Sequence, residues 1–267
     1  MPRKKALLVG INEYSLSKYN LRGCVADVES LKRLLVQKVG FDDNDIATLL
    51  DQEATSVAIK AGLGQLLTGV QTGDVRVFAF SGHGTQKGID SGNEFDGKDE
   101  ALVPHDVTYT GLITDDELNR IISPAIPDDG SVSFTAIYDC CHSGTYNREV
   151  DLFLYLNAFA TQESEILNRC INLPVPGEVR DVLLGPYTIL SACKDEETAA
   201  DLKTVPDEGT PRGAFSYALH QVLRDNPRPR VRDLEDSVLT KVKAVSSHGQ
   251  TPQYFSLAPD SQLFTPQ

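Results

Sequence analysis

The sequence predicts an α/β protein whose core is a mainly parallel sheet of about six strands with helices on both faces. Three observations carry that prediction. Short β-rich apolar runs occur without strict polar alternation, as in strands covered on both sides. Amphipathic helical patterns lie between those runs, and strand–helix alternation builds parallel sheets. The two motifs richest in chemistry, SGHGT (81–85) and DCCHSGT (139–145), each follow directly on such a run. That is the carboxyl edge of a strand, where open α/β sheets hold their ligands.

Taken in order, KALLVG (5–10), VRVFAF (75–80), VSFTAIY (132–138) and YTILSAC (187–193) read as the buried strands. The segment 26–39 is helical, with Val28, Leu31, Leu34 and Leu35 on one face, and 56–70 is helical through Val57, Ile59, Leu63 and Leu66. At 114–122, Thr114 as N-cap and Glu117 three residues later form a capping box. Further helices are expected at 213–223 and 231–245, and QTPQYFSL (250–257) suits an edge strand. The stretch 145–186 has no period and contains NLPVPGE (172–178), so it reads as a long loop joining two halves. One domain is expected over 1–267, with a first part to about 145, a linker over 146–186 and a second part over 187–267.

Composition narrows the class. The chain has 267 residues, is 40% hydrophobic and 7% aromatic, which is enough to fill a sizeable core. Its formal net charge of −13 argues against nucleic acid, whose phosphates need clustered Lys and Arg, and points to basic protein segments as partners. No apolar run approaches the roughly 18 residues of a membrane span. Five cysteines, an odd number without repeated spacing, argue against a disulfide framework and suit a reducing, cytoplasmic location. Nine carboxylates fall between Asp90 and Glu117 against the single Lys98, which suits either a solvated acidic loop or a cation site.

A cysteine becomes a nucleophile when a base raises its thiolate fraction, and histidine is the usual agent. His83, between two glycines after a strand, can project into a cleft, and Gly84 offers an unhindered backbone N–H to a developing oxyanion. Zinc is the alternative for Cys140, Cys141, His142 and His83. Three adjacent residues do not readily converge on one tetrahedral ion, and no C-x₂-C spacing occurs. His83 precedes Cys141 by 58 residues, an order and spacing like those of caspase-type proteases.

FSGHGTQ (80–86), DEALVPHD (99–106), ITDDEL (113–118), DCCHSG (139–144), SAC (191–193), GAFSYAL (213–219) and TPQ (251–253) together resemble the metacaspases, caspase-fold cysteine peptidases of clan CD, family C14. The resemblance implies a caspase-like fold and a minimal catalytic unit without a preceding domain. It makes Cys141 the nucleophile and His83 its partner, with Cys140 a small buried residue. It implies cleavage after Arg or Lys, with Asp27, Asp139, Cys24 and Ser81 forming an acidic S1 pocket that rejects Asp. Asp99, Asp115 and Asp116 fall where many metacaspases bind an activating calcium ion. Arg148, Arg169 and Arg180, in the joining stretch, are candidate self-cleavage positions. A monomer acting on proteins or peptides is expected; a caspase-fold adaptor without catalysis is the alternative.

Overall fold

The computed structural model describes residues 2–88, 98–140, 166–169, 187–194 and 197–266, with 86–88, 98–100 and 166–169 described by their backbone alone. The described elements run β1 (Lys4–Gly10), α1 (Cys24–Leu34), β2 (Ile46–Leu50), α2 (Ser56–Leu67), β3 (Val75–Ser81), β4 (Gly84–Gly88), β5 (Lys98–Leu102), α3 (Val107–Thr110), β6 (Ile113–Thr114), α4 (Asp115–Ile122) and β7 (Ser133–Asp139). They continue with β8 (Ile166–Arg169), β9 (Tyr187–Ser191), β10 (Ala199–Leu202), β11 (Arg212–Gly213), α5 (Ala214–Asp225), α6 (Leu234–Val245) and β12 (Gln253–Ser256). No helix among the described residues is long and apolar enough to cross a membrane.

Six strands form the main sheet in the order β12-β9-β7-β3-β1-β2. All its pairs are parallel except β12 on β9; the last strand closes one edge, as expected of 250–257, and runs antiparallel. Strand alternation sorts the core into two layers. Ala6, Leu8, Val77, Ala79 and Ile137 face α1, α5 and α6, while Leu7, Val9, Phe78, Phe80 and Tyr138 face α2 and α4. Burial on both sides explains why these strands read as continuous apolar runs.

The helical expectations hold, with small changes at their ends. The predicted segment 26–39 forms α1 and a wider turn over Leu35–Val39. The Thr114–Glu117 capping box is present in both directions at the start of α4. Three features escaped the sequence reading. β2 carries a mixed burial pattern that does not stand out as a strand. Two small antiparallel sheets, β4-β5-β6 and β11-β10-β8, lie outside the main one. β8 falls inside 145–186, so that stretch is not wholly a loop: Ile166–Arg169 pairs antiparallel with β10, Arg169 opposite Ala199.

Candidate active site

The site grows from the ends of two neighbouring parallel strands. Ser81 closes β3 and Asp139 closes β7, and the two are register partners. Alternation points both side chains to the face that carries α1 and α5. Ser81 donates its hydroxyl to Asp27 Oδ2 at 3.0 Å, and Asp139 Oδ2 accepts the backbone N–H of Ser216 at 3.0 Å. Cys140, one residue on, packs fully buried in the opposite layer. Cys141 follows immediately and lies outside the described residues, as do Arg148 and Arg180.

His83 sits two residues beyond the end of β3. Gly82 before it has no room for a side chain, because a Cβ there would lie 2.9 Å from the Tyr14 hydroxyl and 3.0 Å from the Phe80 ring. The backbone N–H of His83 donates to the Tyr14 hydroxyl at 2.7 Å, and the Tyr14 and His83 rings are 4.9 Å apart between centroids. Its Nε2 lies 2.9 Å from the Tyr19 carbonyl oxygen. A carbonyl only accepts, so Nε2 carries the hydrogen and Nδ1 is the atom whose lone pair can take a proton. This orienting contact was invisible to sequence reasoning, since a carbonyl is common to every residue. Gly84 is buried and opens β4, opposite Leu102.

The four residues assigned to S1 have distinct surroundings. Cys24, in the first turn of α1, is fully buried in the layer with α2, and its backbone N–H donates to Asn12 Oδ1 at 2.8 Å. Asp27, one turn later, is 2% exposed. Besides Ser81 it receives Arg212 Nε at 2.7 Å and the Gly213 backbone N–H at 3.1 and 3.2 Å. Asp27 and Asp139 therefore both accept from backbone N–H groups at the entrance of α5, where the helix dipole favours negative charge. Arg212 was not among the residues singled out from the sequence.

The acidic positions belong to a different part of the fold, the β5–β6 pair and the start of α4. Asp115 and Asp116 begin α4, with Asp115 Oδ1 accepting the Asp116 N–H at 2.8 Å and Asp116 paired with Arg120 at 2.9 Å. β5 pairs with β6 through Ala101 opposite Thr114, which carries the backbone of Asp99 alongside the start of α4. The side chain of Asp99 lies outside the described residues, and among those described no three His, Cys, Asp or Glu side chains gather in a way that holds a metal. A carboxylate set offers the hard oxygens that calcium takes, and Arg120 competes for one of them.

Comparison with known proteins gives a consistent picture. Residues 4–149 match the family model described as metacaspase, peptidase C14 domain. Metacaspase-1 of Mycosarcoma maydis is 30% identical over 96% of this chain and 71% of its own length. Metacaspase-3 of Arabidopsis thaliana is 40% identical over 92% of this chain and 66% of its own. Among solved structures, protein GSU0716 from Geobacter sulfurreducens superposes with a TM-score of 0.69 at 22% identity, covering 99% of both chains. Caspase-1 from Spodoptera frugiperda does so at 0.61 and 13% identity, over all of this chain and 91% of the other, which bears on fold alone.

Proposed function

Because the chain belongs to the metacaspase family of C14 peptidases, which are cysteine-type endopeptidases of caspase-like fold, we propose that it cleaves peptide bonds after Arg or Lys with Cys141 and His83 as its dyad. The observation that carries this reading is the orientation of His83. The Tyr19 carbonyl fixes its Nε2–H, so Nδ1 is the proton-transfer atom, at the edge where β7 ends two residues before Cys141. The Cys141 thiol passes its proton to His83 Nδ1, the resulting thiolate attacks the substrate carbonyl carbon, and the tetrahedral oxyanion takes hydrogen bonds from backbone N–H groups such as that of Gly84. As the C–N bond breaks, His83 gives its proton to the leaving amine. Water then attacks the thioester, losing its proton to His83 and releasing the acid and the thiol.

The P1 side chain is read by the acidic region of Asp139, Asp27, Ser81 and Cys24. Buried carboxylates there favour a guanidinium or ammonium and repel Asp. Hydrolysis of fluorogenic peptides ending in Arg, Lys or Asp tests the assignment. The expected order is Arg and Lys well above Asp, and preferential turnover of Asp overturns the pocket but leaves the dyad standing.

Calcium is proposed to bind at the edge shared by Asp99, Asp115 and Asp116, where its charge neutralises the cluster and steadies the β4–β5 strands that follow His83. Calorimetric titration of the purified chain should show calcium uptake that Asp115→Ala/Asp116→Ala removes, with magnesium as the control. Uptake unchanged in that variant rules out the site. A reducing cytoplasm would keep the Cys141 thiol available, and action as a monomer on basic protein segments fits the same reading.

A further inference from the structure

His220, on α5, is 2% exposed, and Arg212 Nη2 donates to its Nδ1 at 2.7 Å. A guanidinium only donates, so Nδ1 accepts and the proton of the ring sits on Nε2. Burial, then the charges of Arg212, Arg224 and Arg33, keep the ring from taking a second proton. Among the described residues no acceptor meets that Nε2–H, although buried donors are ordinarily paired. The ring is not sealed in, because it lines a cavity of about 180 Å³ between the end of α1 and α5.

The rest of the lining is rich in donors. Arg33 comes from α1, Arg224 from α5, and the wider turn after α1 adds Gln37 and Lys38. Arg33 meets Glu29 only at 3.9 Å and Arg224 meets Glu208 only at 3.6 Å, beyond hydrogen-bonding distance, so both guanidinium groups keep donors to give. Glu208 is the carboxylate of the lining, and it already accepts Arg212 Nη1 at 2.5 Å. With every ion-pair partner counted, the cations Arg33, Lys38, Arg212 and Arg224 outnumber the carboxylates Asp27, Glu29 and Glu208. That local excess of positive charge stands in a chain of formal net charge −13. An occupant must accept from His220 and carry negative charge, and a space of this size excludes anything as large as a nucleotide. Phosphate oxygens only accept, radiate in several directions and match the guanidinium fork. We propose that this cavity binds a small phosphate-type oxyanion, with the His220 Nε2–H at its floor and Arg33, Arg224 and Lys38 around it. The site stands independently of the basic-P1 reading, and by joining α1 to α5 its occupant stabilises the fold.

Pyrophosphate is the probe, titrated calorimetrically into the full-length chain carrying Cys141→Ala, which removes self-cleavage. Excess chelator keeps divalent ions from bridging phosphate to carboxylates. Uptake with a Kd of about 1 mM or tighter is expected, and no uptake overturns the site. Arg33→Gln/Arg224→Gln should weaken binding about tenfold or more. Arg230→Gln/Arg232→Gln removes the same charge from the approach to α6, where both arginines pair with other carboxylates, and should change binding by less than about twofold. Equal losses in the two variants mean general attraction of an anion to positive charge and overturn the site. The floor is read by NMR of the imidazoles. The His220 signals, identified by their loss in His220→Gln, should shift with pyrophosphate while those of the other histidines stay, and His220 signals unmoved at saturation overturn the assignment. Should His220→Gln not fold, the two arginine variants decide. Inorganic phosphate and a phosphoserine peptide then separate the sources. Equal affinity shows that the group can arrive on a protein and weaker binding of the peptide shows a free anion, both upholding the site.

Discussion

Cys140 is buried in the same layer as Phe78, Phe80 and Tyr138, so replacing it removes packing and no chemistry. We predict that Cys140→Ala keeps most of the peptidase activity and loses on the order of 1 kcal/mol of stability, while Cys141→Ala folds normally and neither turns over peptide nor takes a thiol-reactive peptide inhibitor. The reverse outcome in a labelling gel would move the nucleophile. His220 offers a second test at this scale. Burial, then the charges of Arg212, Arg224 and Arg33, hold its protonation well below the ordinary 6.5. The folded protein therefore keeps it neutral where the unfolded chain protonates it. Its contribution to stability is complete above about pH 6.5 and fades as pH falls below that value. Urea midpoints at pH 7.5 and 5 should drop for the wild type and drop less for His220→Gln. Equal losses in the two proteins would remove His220 from the account.

Single elements carry the next set of expectations. α4 starts with a reciprocal capping box, Thr114 with Glu117, and an N-cap Thr→Ala change typically costs about 1 kcal/mol. Since α4 also presents Asp115 and Asp116, Thr114→Ala should weaken calcium uptake along with stability, which titration and melting can read together. α5 is capped differently. Its N-cap, Gly213, has no side chain to offer, and the N–H groups of Gly213 and Ser216 are met instead by Asp27 and Asp139 from other elements. The joining stretch makes a third case. A protease acts on extended backbone drawn out of its pairing, and Arg169 ends β8 opposite Ala199, so cleavage after it requires that pair to open. We predict self-cleavage in 146–186 at Arg148 or Arg180 ahead of Arg169. Mass spectrometry of fragments from active wild type checks this, and an early cut after Arg169 would contradict it.

Across the whole molecule, the two ends of the sheet do different work. At the amino ends of β1 and β3, Asp74 pairs with the fully buried Arg76 at 2.8 Å and with Arg3 at 2.9 Å. Burial alone would raise the Asp74 carboxyl, but hydrogen bonds from Arg3 and Gln71 and the charge of Arg76 outweigh it and hold it at about 2. Its contribution is then present above the ordinary 3.8 and is lost as pH falls towards 2. Asp74→Asn strands a buried arginine, which typically costs about 3–5 kcal/mol. Denaturant curves should show that loss at pH 7 and a much smaller difference near pH 2. The carboxyl ends carry the candidate residues Ser81, His83 and Asp139 instead, and the sequence by itself determined that placement. Apolar runs covered on both faces announced the parallel strands, periodic Leu and Val announced the helices, and both SGHGT and DCCHSGT fell at strand ends because each follows its run without a gap. Strands such as GTQKG (84–88) stayed hidden, since they lack an apolar pattern and exist through pairing with β5. Only the tertiary structure decided that the Tyr19 carbonyl orients His83 and that Arg212 occupies Asp27. Those contacts span 64 and 185 residues and involve a backbone atom or a buried ion pair. Neither leaves a local signal, because periodicity records which face of an element is buried and says nothing about which distant group will meet it there.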